Sequence, residues 1–183
     1  MRDRTPSTLP PPDSSALSLR DPAHAWRYLR TQWRRAFGLN ITQVDELLFV
    51  GGQFHARQWP ALHALGIRAV LSLQAEYEDE FHGAPAPRTL RLLVPDFHPP
   101  TVVQLREAVA FITAAHAERL PVMIHCHAGV GRAALTASAF LVAQGADHLS
   151  AFHSLRRSRP IVLLNAVQLA RLAEWERELR AEL

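Results

Sequence analysis

The sequence predicts an α/β fold with a central, mostly parallel sheet of about five strands and helices on both faces. Short apolar stretches typical of strands alternate with longer stretches typical of helices, an order that favours parallel strands joined by helices. The chain of 183 residues has the size of one domain with a continuous core. The predicted strands cover residues 41–44, 47–50, 67–73, 90–94 and 122–125, and the predicted helices cover residues 57–65, 102–119, 133–144, 149–158 and 166–180.

The N-terminal part divides into two segments. Residues 1–20 are rich in Pro, Ser and Arg, which predicts a disordered tail. Asp21 and Pro22 then resemble a helix start, with an N-cap carboxylate before a first-turn proline. We expect an accessory helix over residues 21–38 that packs on the main domain, residues 39–183, and membrane association of this helix is the less favoured alternative. Its apolar stripe consists of Trp26, Leu29, Trp33 and Phe37.

Each of three predicted strands is followed by residues that favour a turn or loop, and the last of these loops leads into an apolar helix. The apolar run 47–50 ends at Gly51 and Gly52, and the run 89–94 leads through Asp96 into a loop stiffened by prolines. The apolar strand before Cys126 enters a glycine-bearing loop, after which the apolar segment 133–143 is short enough to be a buried core helix.

That loop is the most informative motif of the chain, and it consists of Cys126, His127, Ala128, Gly129, Val130, Gly131 and Arg132. A loop that closes onto a helix N-terminus directs backbone N–H groups inward and forms a site for a phosphate-sized anion. The same field favours the ionised thiolate of Cys126, which makes it a nucleophile. The guanidinium of Arg132 can bind two phosphate oxygens at once. The loop therefore predicts phosphoryl transfer at the C-terminal edge of the sheet.

The string from His125 through Cys126 to Arg132 resembles the signature loop of the cysteine-dependent protein tyrosine phosphatase superfamily, and the surrounding sequence is most similar to its small dual-specificity branch. The resemblance covers roughly residues 41–183 and implies a phosphocysteine intermediate at Cys126. It also implies a general acid on a separate upstream loop, a role that Asp96 fits. His125 is expected to orient the loop, and Asn165 and Gln168 are expected to orient the hydrolytic water.

Other interpretations of these residues remain open at this stage. By residue type, the alternatives are an inert core cysteine for Cys126, a turn residue for Asp96 and a core histidine for His125. His125, Cys126 and His127 suggest a metal site, but further ligands at zinc-like spacing are missing, and we expect no metal and no cofactor. The acidic run 76–80 is interpreted as a solvated loop or helix start. Arg156, Arg157 and Arg159 form either a substrate-facing basic rim or a solvated helix end.

Two positions depart from the family pattern. Ala133 follows the arginine where relatives usually carry Ser or Thr, whose hydroxyl helps the thiolate to leave. Leu164 stands where many relatives carry Glu or Gln. The resemblance therefore implies a competent phosphatase with slow breakdown of its phosphoenzyme.

The composition of the chain limits the kinds of substrate and the cellular compartment that we expect. The formal net charge is +3 and all 20 basic residues are arginine, which fits an anionic substrate without identifying it. One cysteine cannot form an internal disulfide, and a thiolate nucleophile needs reducing surroundings, so we expect a cytoplasmic protein. The expected partners are a phosphorylated protein, phosphotyrosine first, and phosphate or another oxyanion in the site, with no nucleic acid. A phosphoinositide or phosphoglucan phosphatase and a phosphate-binding pseudophosphatase are the alternatives, and a thiol-based arsenate or sulfur-transfer enzyme is a more distant one.

Overall fold

The computed structural model describes residues 38–182 together with Pro22, Ala25, Trp26, Tyr28 and Leu29. The strands within this part are β1 (Ile41–Gln43), β2 (Leu48–Gly52), β3 (Ala69–Ser72), β4 (Arg88–Arg91) and β5 (Val122–Cys126). The helices of residues 38–182 are α1 (Trp59–Ala64), preceded by a 3-10 turn (Ala56–Gln58), α2 (Val102–Ala117), α3 (Arg132–Ala143), α4 (His148–Ser158) and α5 (Ala166–Ala181).

The strands form one sheet in the order β1-β2-β5-β3-β4, in which β1 is antiparallel to β2 and the other neighbours are parallel. β5 lies at the centre, so the loop that follows it emerges from the middle of the sheet's C-terminal edge. The predicted α/β architecture is thereby confirmed. Ligands of such sheets bind at this edge.

Side-chain alternation along the strands divides the interior into two cores. Phe49, Val70 and Met123 face α1, where they pack with Trp59 and Leu62. Their neighbours along the same strands face the larger core, which contains buried residues of α2, α3, α4 and α5. Helices therefore cover both faces of the sheet, as predicted, with one on the first face and four on the second within residues 38–182.

One strand is displaced from its predicted position. β4 begins at Arg88 and ends at Arg91, whereas the sequence pattern predicted residues 90–94. Its neighbour β3 ends at Ser72, which pairs with Arg91, and the last backbone contact is the Leu92 N–H to the Ser72 oxygen at 2.9 Å. Leu92 and Val94 remain buried in the core although the ladder has ended, so their strand-like hydrophobicity reflects burial and not strand pairing.

The predicted tail, residues 1–20, lies outside the described residues, as does most of the predicted accessory helix. The five described residues of that helix are helical, and Trp26 and Leu29 are exposed. The division into tail, helix and main domain stays a prediction. Among the described residues, we find no helix with the length and apolar character needed to cross a bilayer.

Candidate active site

The loop between β5 and α3, which we call the phosphate-binding loop (Cys126 to Arg132), has its carbonyl groups turned outward. Four consecutive carbonyl oxygens accept hydrogen bonds from groups outside the loop. The pairs are the Gln53 N–H with the His127 oxygen at 3.0 Å, Asn40 Nδ2 with the Ala128 oxygen at 3.2 Å, Arg159 Nε with the Gly129 oxygen at 2.8 Å, and the Leu163 N–H with the Val130 oxygen at 3.2 Å. With these carbonyls held outside, the loop's amides can converge on an anion.

Gly129 is required by both conformation and space. Its φ of +67° lies in the left-handed region, and a Cβ at this position would lie 2.4 Å from the carbonyl carbon and oxygen of Gly51 at the end of β2. The Gly129 N–H donates to Cys126 Sγ at 3.3 Å, which stabilises negative charge on the sulfur. Only a residue without a side chain lets the loop turn its amide to the nucleophile at this distance from β2.

Cys126 is the last residue of β5 and is 3% exposed. It pairs in register with Gly52 of β2, so the sulfur lies at the base of the loop. The N-cap of α3 is Gly131, and no side chain caps that helix end. The partial positive charge of the helix N-terminus therefore faces the loop without a competing side-chain oxygen.

Arg132 opens α3, and its guanidinium is 1% exposed. Nη1 donates to the carbonyl oxygens of Leu73 and Val94, at 3.2 and 2.6 Å, which fixes the plane of the group. Nη2 lies 2.9 Å from Asp96 Oδ1 without the alignment of a hydrogen bond, and Nε has no hydrogen-bond partner among the described residues. Nε and Nη2 form the edge of the guanidinium that can donate hydrogen bonds to two oxygens of one anion.

Glu76 is a site residue that the sequence reasoning missed. Both of its carboxylate oxygens contact Arg132 Nη1, at 3.1 and 2.9 Å, and Oε1 also accepts the Asp96 N–H at 2.8 Å. Burial acts to raise the pKa of Glu76, but the hydrogen bond and charge of Arg132 together with backbone hydrogen bonds, one of them from Asp96, hold that pKa below its usual value. Glu76 thus links the guanidinium to the segment that carries Asp96.

Residues 76–80 form a loop, which is one of the two expected interpretations, but two of its members, Glu76 and Asp79, make contacts with site residues. Asp79 Oδ2 lies 2.9 Å from His125 Nε2, and the imidazole is fully buried. A positional signal existed: this run follows β3, whose C-terminal end lies beside that of β5 in the sheet. Glu78 pairs with Arg91 at 3.6 Å and remains exposed.

Asp96 lies on the segment between β4 and α2, which we call the acid loop (residues 95–100). The next residue, Phe97, has a φ of 61° and is 79% exposed. A left-handed conformation costs a bulky residue about 1–3 kcal/mol and persists where surrounding contacts enforce it. Here the Phe97 N–H donates to Asp96 Oδ1 at 3.0 Å, and its carbonyl oxygen accepts Asn165 Nδ2 at 3.0 Å.

The two polar residues before and within α5 lie near the site but differ in contacts. Asn165 is the N-cap of α5, where its Oδ1 accepts the Gln168 N–H at 2.8 Å. Gln168 is buried, and a Cβ on Gly131 would approach its Nε2 to 2.9 Å. The structure thus brings Asn165 to the acid loop and Gln168 to the phosphate-binding loop, and their expected role in orienting water stays a prediction.

The remaining candidates fall into supporting positions. His127 is exposed, stacks on Tyr77 with centroids 6.5 Å apart, and lies 3.2 Å from Gln53 Oε1 through Nδ1. Arg159 is fully buried and contacts the Gly129 oxygen and the side chains of Asn40 and Thr42. Neither proposed role for Arg159, a basic rim or a solvated helix end, is correct, because the side chain supports the loop from behind.

Comparisons with known proteins agree with this geometry. The model of the family "Dual specificity phosphatase, catalytic domain" matches residues 48–178. Dual specificity protein phosphatase 12 of Homo sapiens is 37% identical over 106 residues, which cover 56% of this chain and 31% of that protein. Dual specificity protein phosphatase 4 of Homo sapiens is 29% identical over 141 residues, covering 76% and 35%. The chain thus spans about a third of the length of these curated relatives.

Solved structures share the fold. The crystal structure of PTPMT1 in complex with PI(5)P has a TM-score of 0.71 at 23% identity and covers 78% of this chain and 98% of that one. Tk-PTP in its active form has a TM-score of 0.67 at 26% identity, with coverage of 75% and 97%. Since the family model extends over well more than half of the chain, from β2 into α5, the protein belongs to the dual specificity phosphatase family within the protein tyrosine phosphatase superfamily.

Proposed function

We propose that this chain hydrolyses phosphomonoesters, phosphotyrosine first, through a phosphocysteine intermediate at Cys126. The observation that carries the proposal is the convergence of three groups on one anion site. The Cys126 sulfur lies under an inward-turned loop amide, the buried Arg132 presents the edge formed by Nε and Nη2, and the Asp96 carboxyl group lies 2.9 Å from Nη2. Nucleophile, charge clamp and proton donor are the parts that this chemistry needs.

In the first step, Cys126 attacks phosphorus, so an S–P bond forms as the bond from phosphorus to the leaving oxygen breaks. Loop amides and the Nε and Nη2 donors of Arg132 bind the phosphoryl oxygens and follow them into the transition state. The bound anion competes with Asp96 for the guanidinium, which frees the carboxyl group to face the leaving oxygen. Asp96, which enters this step as the carboxylic acid, then transfers its proton to that oxygen and becomes a carboxylate.

In the second step, water attacks the phosphocysteine while Asp96 accepts its proton. The S–P bond breaks, inorganic phosphate leaves, and the thiolate and protonated Asp96 are restored. Ala133 is fully buried in the first turn of α3 and supplies no hydroxyl to the departing sulfur. We therefore propose that this step limits turnover. Because the cycle needs a free thiolate, we also propose a reducing compartment such as the cytoplasm.

The surroundings of the site favour an aromatic phosphomonoester over a densely charged one. Glu76 and Asp96 occupy one side, and His127 is the one other loop residue beside Arg132 that can carry positive charge. Exposed Phe97, Leu163 and Val167 lie on segments that contact the site, so they offer apolar surface to a phenyl ring. Phosphoinositide, as bound by the related PTPMT1 structure, and phosphoglucan are the alternative substrates.

Rapid-quench kinetics with a ³²P-labelled aryl phosphate test the proposal. We expect a burst of phenol close to one equivalent per enzyme, with ³²P bound covalently to Cys126 after an alkaline quench, because formation of the phosphocysteine outpaces its hydrolysis. A pseudophosphatase would bind the ester and release no phenol. A redox or sulfur-transfer enzyme would leave no label on Cys126, and either result overturns the proposal.

Replacing Asp96 by Asn tests the acid. We expect kcat/KM to fall about 10²–10⁴-fold for alkyl and phenyl phosphates, and much less for p-nitrophenyl phosphate, whose leaving group needs little protonation. A leaving-group series measured on both proteins gives this difference directly. Equal losses across the series would contradict proton donation by Asp96.

Asn165 is proposed to hold the acid loop over the site. Asn165→Ser keeps a good N-cap for α5 but loses the Nδ2 donor to the Phe97 oxygen. We expect kcat for phenyl phosphate to fall up to about tenfold, the value of one hydrogen bond, with a smaller loss for p-nitrophenyl phosphate and little change in melting temperature.

Asn165→Ala is the matched control because it removes both the cap and the tether. It should show the same leaving-group pattern and, in addition, a destabilisation of about 1 kcal/mol in chemical unfolding. If Asn165→Ser behaved as the unmodified protein with every leaving group, the tether would have no part in catalysis.

A further inference from the structure

A cavity of about 480 Å³, which we call the flanking cleft, lies beside the phosphate-binding loop. His127 and Ala128, the two residues that follow Cys126, form part of its wall. The exposed side chains of His55 and Arg57 line it from the segment after β2, whereas buried residues such as Met123 lie at its base. The cleft therefore adjoins the phosphate-binding loop at the two residues that follow the nucleophile.

Among the described residues that line the cleft, the ionisable ones are His55, Arg57 and His127, and none is Asp or Glu. Arg57 is exposed and makes no ion pair with any residue that the structure describes, unlike Arg88, Arg91, Arg106 and Arg119. An anionic group entering the cleft would find a cation that is not already neutralised.

The part of the site around Arg132 has the reverse character. Glu76 and Asp96 contact Arg132, and exposed Glu78 lies two residues beyond Glu76. A ligand with negative charge on both sides of its phosphate would be repelled on one of them. The asymmetry suits a ligand whose additional negative charge lies on one side only.

We propose that the flanking cleft binds the carboxylate of an Asp or Glu next to the phosphotyrosine in a peptide substrate. The inference rests on the proposed function, because it places the phosphotyrosine at Cys126. Successive Cα atoms of a peptide are 3.8 Å apart, so a residue one or two positions from the phosphotyrosine can reach a cleft whose wall begins at His127. The polar mouth and apolar base accommodate the carboxylate and the methylenes of such a side chain.

The test uses paired phosphotyrosine peptides that differ by Glu or Gln at one position, from two before to two after the phosphotyrosine. We expect one position at which Glu raises kcat/KM about fivefold over Gln, the size of one exposed ion pair. In Arg57→Gln this Glu/Gln ratio should fall toward one. It should also shrink with added salt, since exposed charge pairs are screened.

Arg177→Gln is the matched control, because Arg177 is an exposed arginine near the far end of α5 that makes no ion pair with a described residue. It lowers the net charge equally and should keep the ratio. A ratio of one at every position in the unmodified protein, or an equal loss in both variants, would overturn the proposal. So would hydrolysis of phosphoinositide vesicles that depends on Arg57 while peptides show no preference. Absence of turnover with every peptide would instead reject the proposed function.

Discussion

Cys126→Ser is expected to abolish turnover while the site still binds an oxyanion. Serine is nearly the same size as cysteine, and hydrogen-bond donors from four other segments hold the phosphate-binding loop. We therefore expect the loop to keep its conformation in this variant. The hydroxyl is not ionised by that field and is a far weaker nucleophile than a thiolate. We expect kcat with p-nitrophenyl phosphate to fall at least about a thousandfold.

Isothermal titration calorimetry with tungstate measures whether the phosphate-binding loop of this variant still binds an oxyanion. The dissociation constant of Cys126→Ser should stay within about threefold of the unmodified protein, since amides and Arg132 make the main contacts with the anion. Retention of more than a hundredth of the activity would remove Cys126 from the mechanism. Loss of tungstate binding together with unfolding would show that the substitution had disrupted the loop.

Arg132→Lys is expected to lower kcat nearly as much as replacement of the nucleophile Cys126. Lysine carries the charge but lacks the planar fork, and it cannot reach the oxygens of Leu73 and Val94, Glu76 and a phosphate at the same time. Two donors to the transferring group would be lost from a buried site, where removing one costs about 10²–10³ in kcat. We expect a fall of at least about a thousandfold in kcat, measured with p-nitrophenyl phosphate, and weaker tungstate binding.

Arg106→Lys makes the same change at an ion-paired arginine that contacts Glu182 and lies on α2. It should keep activity within about twofold, which separates the guanidinium's position from the general effect of replacing an arginine. A comparable loss in both variants, or near-normal kcat in Arg132→Lys, would contradict the proposed role of the fork.

The fold was predictable because its signals are local. The order of strands and helices follows from apolar runs and their breaks, and the strand, glycine loop and helix around Cys126 were readable from residue types alone. The misplaced bounds of β4 have a non-local cause, since the strand ends where its partner β3 ends at Ser72. Leu92 and Val94 have strand-like hydrophobicity but no neighbouring strand with which to pair.

The active site also has features that depend on local sequence and features that depend on contacts between distant residues. The loop could be recognised from residue order, because a cysteine, two glycines and an arginine at that spacing carry their chemistry within seven residues, and Asp96 could be recognised at the end of an apolar run. The residues that surround them could be identified from the folded structure alone. Glu76 reaches Arg132 from 56 residues away, Asp79 reaches His125 from 46, and Asn40 contacts Arg159 from 119. Such contacts depend on which strand ends lie side by side, and strand order leaves no mark on the local pattern of residues.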